Sequence, residues 1–409
     1  MSRLTSYPEG HWSLKVGIPY SMGVKQGGLI FLSGQADLKG EGEVCNPGDL
    51  RKQTAAAIEH IRRLFADLQS DIEKLVKLTV FYVNDGNVDQ DLYKAEIARL
   101  LGTSNAPVIV MVPLSRLFYP GAVVEVDAVG IDSDAQRQYV ADPQFGPVTA
   151  GLSQALRCGE HVFVGSTTAA HAGGRASCAG DSVKQTQVIL ERLESILHEL
   201  GADRGDVVKI NNWFVIEGTA EAWARSAEVR AGFYADPGPV ATGMPLHYLG
   251  AEGLNASTDC WAMRGEAGQI LPKQHAWPAG HWDWPIHLPF KHGLECGSII
   301  FLGGQVSLDA SANVIYPNNL PAQTRTSMDN VGKVLAELGA GFPDILKLNT
   351  WYQGAGDPQT DADTLHTSVN IRSSYFHKPG PASTGIPLDR LCFERMVTET
   401  EAIAFKQFR

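Results

Sequence analysis

The sequence predicts an α+β chain made of three similar domains, each a mixed sheet with helices on one face. Three observations predict it. An apolar run ending in small residues occurs three times, a Gln-Thr pair opens a helical pattern eighteen residues after each run, and a lysine in a strand-like segment follows each pair by twenty-four. The unit recurs about every 135 residues, so 409 residues hold three of them. That period is too long for a solenoid and right for a compact domain.

The elements follow in order. The apolar runs are GGLIFLSGQ (27–35), GEHVFVGST (159–167) and CGSIIFLGGQ (296–305), each reading as a buried strand that enters a tight turn. The pairs Gln53-Thr54, Gln185-Thr186 and Gln323-Thr324 open segments whose apolar residues fall on one helical face, as in Ala57, Ile58, Ile61, Leu64 and Phe65. Lys77, Lys209 and Lys347 lie in VKLTVFYV, VKINNWFV and LKLNTWYQ, which read as second strands. A second helix and then Pro107, Pro239 or Pro381 follow, and VVEVDAVGI, STDCWAMRG or VTETEAIAF closes each unit. Segments rich in Asp, Gly, Pro and Gln separate the units, giving expected domains at 1–132, 147–266 and 279–409. Similar domains in one chain point to a covalent pseudo-trimer.

Composition narrows the function. Asp plus Glu number 45 against 34 Lys plus Arg, a net charge of −11 without a basic block, so nucleic acid is not an expected partner. No apolar stretch reaches the roughly 18 residues of a membrane span. The opening MSRLTSYPEGHW lacks the apolar core of a secretory signal. The six cysteines are scattered without a CxxC pair, which makes a reducing cytoplasmic compartment the expectation. His275, His281, His287 and His292 do not have zinc-site spacing, and no phosphate loop or dinucleotide fingerprint is present, so no metal or cofactor is expected.

The order SGQ, then QT with a helix, then VKLTVFYV, then a proline, then VEVDAVG resembles the Rid/YjgF family of reactive-intermediate deaminases, three times over. The resemblance implies chorismate-mutase-like domains arranged as an intramolecular trimer, with active sites in the clefts between neighbours. It also implies hydrolysis of enamines and imines of small amino acid derivatives, with a Pro-Ala-Arg arginine holding the substrate carboxylate. Arginine suits that task because its planar fork makes two hydrogen bonds to a carboxylate. This chain departs there: the phrases are Pro107-Val108-Ile109, Pro239-Val240-Ala241 and Pro381-Ala382-Ser383, without the arginine.

Other cleft positions of the family remain. Tyr20 matches the entrance tyrosine, with Leu152 and Phe290 in its place elsewhere, and Ser33 and Gly34 match the cleft-lining Ser-Gly. The family's closing-strand acid falls on Glu125, Asp259 and Glu399, each a candidate catalytic group alongside Tyr20. Arg116, Arg390, Arg372 and Arg230 are candidates to replace the lost arginine, and Thr384 to offer a hydroxyl. The plainer readings are a turn arginine for the first two, a helix-surface arginine for the last two, and a salt-bridged strand residue for each acid. The expected function is a cofactor-independent hydrolase of a C–N bond in a small carboxylated imine, enamine or amide-like metabolite, with a carboxylate activating water. The alternatives are a chorismatase-like hydrolase of an enol ether and a non-catalytic small-molecule-binding protein. The expected partner is a small-molecule substrate, and the expected state a monomeric pseudo-trimer with further self-association open.

Overall fold

The computed structural model describes residues 3–215 and 220–406. Six α-helices occur among them: Leu50–Asp67 (α1), Gln90–Leu101 (α2), Ser182–Glu199 (α3), Ala220–Phe233 (α4), Leu320–Glu337 (α5) and Pro358–Ser373 (α6). The long first helix of each unit starts at a capping side chain. Asp49, Asp181 and Asn319 accept the N–H three residues on at 3.1, 3.0 and 3.1 Å. Such a cap contributes about 1 kcal/mol.

The recurrent glutamine is a strut. Gln53 donates to the carbonyls of Asn46 and Gly121 at 2.7 Å each and accepts the Val123 N–H at 2.8 Å. Gln185 and Gln323 make the equivalent three bonds, to Cys178, Gly253 and Asn255 and to Tyr316, Arg395 and Val397. One buried amide thus ties each long helix to the turn before the closing strand. The loss of one such partner would leave buried backbone groups unpaired.

Each unit has one sheet. Its central strand (Leu75–Val83, Val207–Val215 or Ile345–Gln353) lies between a parallel exit strand (Val108–Leu114, Val240–Leu246 or Ala382–Leu388) and an antiparallel closing strand (Val124–Ile131, Ala256–Met263 or Thr398–Phe405). The second helix carries the crossover that a parallel pair requires. Beyond the closing strand come the apolar-run strand, its hairpin partner and an edge strand. The edge strands of the second and third sheets are Arg137–Val140 and Lys273–Ala276. These sheets therefore begin before residues 147 and 279; the segments read as linkers also serve as edge strands.

The three sheets close around a pseudo-threefold axis as an intramolecular trimer. At each seam the opening segment of one unit bridges the exit strand of another: Ser21 with Ala382, Ser153 with Val108, and Lys291 with Val240. The recurrent proline lies at this seam. Carbonyls of Pro381, Pro107 and Pro239 accept the N–H of Ser21, Ser153 and Lys291 at 3.0, 3.1 and 3.1 Å. Phe81, Trp213 and Trp351, equivalent by register, meet on the axis with centroids 5.6–6.4 Å apart.

The recurrent lysine is an inter-unit ion-pair donor. Lys347 reaches Asp127 at 2.7 Å, Lys77 reaches Asp259 at 2.5 Å and Lys209 reaches Glu401 at 2.8 Å. Each pair is largely buried, so removing one partner would strand a charge at a cost of about 3–5 kcal/mol. Among the described residues, no helix is long and apolar enough to cross a membrane.

Candidate functional site

The seams create three clefts of different content. The first lies between units 1 and 3, encloses about 50 Å³, and is lined by Tyr20, Ser33, Gly34 and Glu125 from unit 1 and Arg372, Ser383 and Gly385 from unit 3. The second lies between units 3 and 2, encloses about 60 Å³, and holds Phe290, Gly304 and Glu399 from unit 3 and Arg230, Ala241 and Gly243 from unit 2. Glu125 and Glu399 therefore each face an arginine-bearing wall from another unit. That wall is built by the end of α6 or α4 and the exit strand that follows.

Both acids are buried, 4 % and 6 % exposed. Burial pushes the Glu125 carboxyl up to about 8; the Asp127 charge adds to this and Lys347 opposes it. Glu399 is likewise pushed up to about 8 by burial, with Glu401 adding and Lys209 opposing. Both are protonated at neutral pH and sit close enough to it to exchange a proton. Glu125 Oε2 is buried without a hydrogen-bond partner among the described residues.

The glycine of the SGQ and GGQ phrases makes room for this acid. A Cβ at Gly34 would lie 1.7 Å from Glu125 Oε1, and a Cβ at Gly304 would lie 1.7 Å from Glu399 Oε1. Unit 2 has Ser166 at the equivalent position, and the acid is absent there too. Phe81 pairs with Glu125 and Trp351 with Glu399, but Trp213 pairs with Ser257. Asp259 is thus a correction. It is the counterpart of Asp127 and Glu401, in the lysine-paired row, and accepts from Lys77, Asn211 and Trp213 at 2.5, 3.1 and 2.8 Å. Counting would have found it: Glu125 and Glu399 follow the recurrent proline by eighteen residues, whereas Asp259 follows by twenty.

Arg372 lines the first cleft beside Ser383, from a different backbone position than the family's arginine. It is 1 % exposed, donates from NH1 to Ser383 Oγ at 3.2 Å, and its guanidinium lies 5.9 Å from the Tyr20 ring centroid. Ser383 is the residue that stands where the family has its arginine. Arg230 occupies the same station in the second cleft; its Nε is buried without a partner among the described residues. Burial lowers its pKa to about 10, which still leaves it charged at neutral pH. The residue nine positions before the recurrent proline is Arg372, Arg230 or, in unit 1, Ala98.

Three other candidates lie elsewhere. Arg116 is a correction: Asp361 at 2.7 Å and Asp389 at 2.8 Å hold its guanidinium in an ion-pair tie between units 1 and 3, outside the cleft lining. Arg390 is exposed and lines neither cleft. Thr384 stands behind the first cleft, accepting from Lys347 and the Gly34 N–H at 2.7 and 2.9 Å and donating to Asp127 at 3.2 Å. Tyr20 and Ser33 do line the cleft, and Ser33 also ties the seam by donating to Ser21 O and accepting from Ser383 N–H at 2.7 and 2.9 Å. Burial raises the Tyr20 hydroxyl above its ordinary value, which keeps it neutral.

The third seam, between units 2 and 1, has neither reactive group. Ser257, Ser166 and Ala98 replace the acid, its glycine and the arginine. Buried Leu152, Ile109 and Met111 occupy the Tyr20, Ser383 and Gly385 positions, and Ser166 Oγ accepts the Met111 N–H at 3.0 Å. Nearby lies an open polar basin of about 870 Å³ whose lining includes neither Ser257 nor Ala98. Two of the histidines at the third unit's entrance, His281 and His292, pack into an aromatic plug with Trp282 and Trp284. His281 pairs with Gln305 at 2.8 Å, and His292 stacks on Trp284 with planes 6° apart.

Comparison with known proteins completes the picture. The family model for Endoribonuclease L-PSP matches residues 13–131 and 285–406. The chain is 30 % identical over 131 residues to the mitochondrial protein mmf2 of Schizosaccharomyces pombe, covering 32 % of this chain and all of that one. It is 26 % identical over 119 residues to 2-iminobutanoate/2-iminopropanoate deaminase of Escherichia coli K12, covering 29 % of this chain and 88 % of that one. Among solved structures, a chorismatase superposes with TM-score 0.55 at 12 % identity, over 81 % of this chain and 93 % of that one. The last is a likeness of fold.

Proposed function

The chain belongs to the endoribonuclease L-PSP (Rid/YjgF) family, and from that premise we propose that it is a deaminase-type hydrolase of small carboxylated imines or enamines with two working clefts and a third seam that lacks the acid and the arginine. The observation that carries this is the presence, in one cavity lining at each of two seams, of a buried acid and a buried arginine from different units; burial raises each acid's pKa toward neutrality. Relatives named as iminobutanoate deaminases support the reaction class.

In this reading Arg372 or Arg230 binds the substrate carboxylate and orients the C=N bond toward Glu125 or Glu399. The protonated acid gives its proton to the imine nitrogen. Water adds to the carbon and returns a proton to the carboxylate. The carbinolamine then loses ammonia, leaving a carbonyl product and the acid protonated as before. A base or acid poised near the working pH contributes about 10²–10⁴-fold to such a step. The chain does this as a single-chain trimer.

The test is ammonia release from imines made in situ by an amino acid oxidase, run beside chorismate as a control substrate. Accelerated ammonia release supports the proposal. Turnover of chorismate alone would replace it with enol-ether hydrolysis, and binding without turnover would replace it with a binding protein.

A further inference from the structure

The two complete clefts share an acid and a guanidinium but differ in lining, and we propose that they select different substituents: the cleft between units 1 and 3 a hydroxyl- or amide-bearing one, the cleft between units 3 and 2 an apolar one. This rests on the reading of both clefts as carboxylate-recognising sites. Equivalent positions carry the argument. Tyr20, Ser33 and Ser383 in the first cleft are Phe290, Gly303 and Ala241 in the second. Ser33 Oγ both donates and accepts at the seam; Ser383 Oγ accepts from Arg372 and Tyr20 Oη has no partner among the described residues, so these two hydroxyls keep a proton to donate to a substituent. The second cleft has no hydroxyl at these stations.

Its other changes point the same way. Phe118 of the first cleft is replaced by Cys392, and Val369 by Ala227, while Trp284 stands where the first cleft has Leu14. Apart from the acid and arginine common to both clefts and the Asn212 amide, whose Oδ1 accepts from Thr258 at 3.2 Å, the second cleft presents indole, phenyl, thiol and methyl surfaces. Cys392 Sγ is turned to the Gly243 carbonyl at 3.1 Å, beside the glycine that lines the cavity. The arginines differ in parallel. Arg372 donates to Ser368 and Ser383 at 3.3 and 3.2 Å, whereas Arg230 Nε has no partner among the described residues. A site built to hydrogen-bond a polar substituent rejects the analogue lacking it far more strongly than an apolar pocket rejects one methylene.

The experiment is titration calorimetry with two 2-oxo acids, which carry the carboxylate but no leaving nitrogen: 4-hydroxy-2-oxobutanoate and 4-methyl-2-oxopentanoate. Cys392→Phe restores in the second cleft the ring that the first one has. It is expected to weaken 4-methyl-2-oxopentanoate at least 10-fold and 4-hydroxy-2-oxobutanoate less than 2-fold. Tyr20→Phe with Ser383→Ala is expected to do the reverse. A second route adds hydroxyls: Phe290→Tyr with Ala241→Ser is expected to raise the stoichiometry of the hydroxylated probe from one to two per chain. Equal effects of Cys392→Phe on both probes, or an unchanged stoichiometry, would overturn the division while leaving carboxylate recognition standing. Failure of one probe alone to bind the wild-type chain would likewise overturn the division, and failure of both would overturn carboxylate recognition as well.

Discussion

The seam between units 2 and 1 has the same backbone bridge, the same recurrent proline bond and the same buried lysine–acid pair as the other two seams. What it lacks is a set: the acid, the glycine beneath it and the arginine opposite, replaced by Ser257, Ser166 and Ala98. The three changes belong together physically. Without the acid no space need be kept beneath it, so a Cβ is admitted. Without an anionic ligand to bind, a buried guanidinium would be an uncompensated charge. The comparison separates what holds the trimer together from what reacts in it. The Lys–acid row is common to all three seams and is structural; the Glu–Gly–Arg set occurs at two and is the candidate chemistry.

The strongest way to break that comparison is to put a Cβ under the acids. Gly34→Ala with Gly304→Ala is expected to displace both carboxylates and lower ammonia release at least 100-fold. The mirror change, Ser166→Gly in the third seam, is expected to leave the rate within 2-fold. Steady-state rates on the folded proteins check both.

The pH dependence sharpens it further. Each raised carboxyl keeps a proton in the folded chain that the unfolded chain releases near its ordinary value of 4.5. Its effect on stability is nil below that pH, grows more unfavourable as pH rises toward 8, and is constant above. The cost is on the order of 5 kcal/mol per site at its maximum. Glu125→Gln is therefore expected to raise the unfolding midpoint at pH 8 by several degrees and to change it little at pH 4.5. Thermal melts at the two pH values check the sign. Activity is expected to fall as pH rises through about 8, because the proton-donating form is lost.

A smaller effect is expected from Arg116→Gln. It removes the tie to Asp361 and Asp389 and strands buried Asp361, so thermal stability should drop by about 1–3 kcal/mol. KM should stay within 2-fold, since Arg116 is outside the cleft. A large rise in KM would return Arg116 to the site.

Much of the fold was legible because the repeat was. Gln53 and Lys77 recur at fixed spacing, in all three units, since the glutamine strut and the inter-unit ion pair are ties that the fold needs three times. The pairing of units was not legible: Lys347 and Asp127 are far apart in sequence, and only closure of the ring joins them. The acids of units 1 and 3 were legible as closing-strand carboxylates, but Asp259 shows the limit of reading by residue type. In a strand every second residue shares a face, so an acid two positions on keeps the right face while standing in another row. Arg372 was nameable as a candidate, yet its meeting with Ser383 depends on how α6 ends against the exit strand.

The central claim is that two clefts, and not the third, perform the reaction through Glu125 and Glu399. It is tested most directly by ammonia release from Glu125→Gln, Glu399→Gln, the double variant and Ser257→Ala, each confirmed folded. The account predicts that each single variant keeps the other cleft's share, that the double variant falls to background, and that Ser257→Ala matches the wild type. A double variant with wild-type turnover would contradict it.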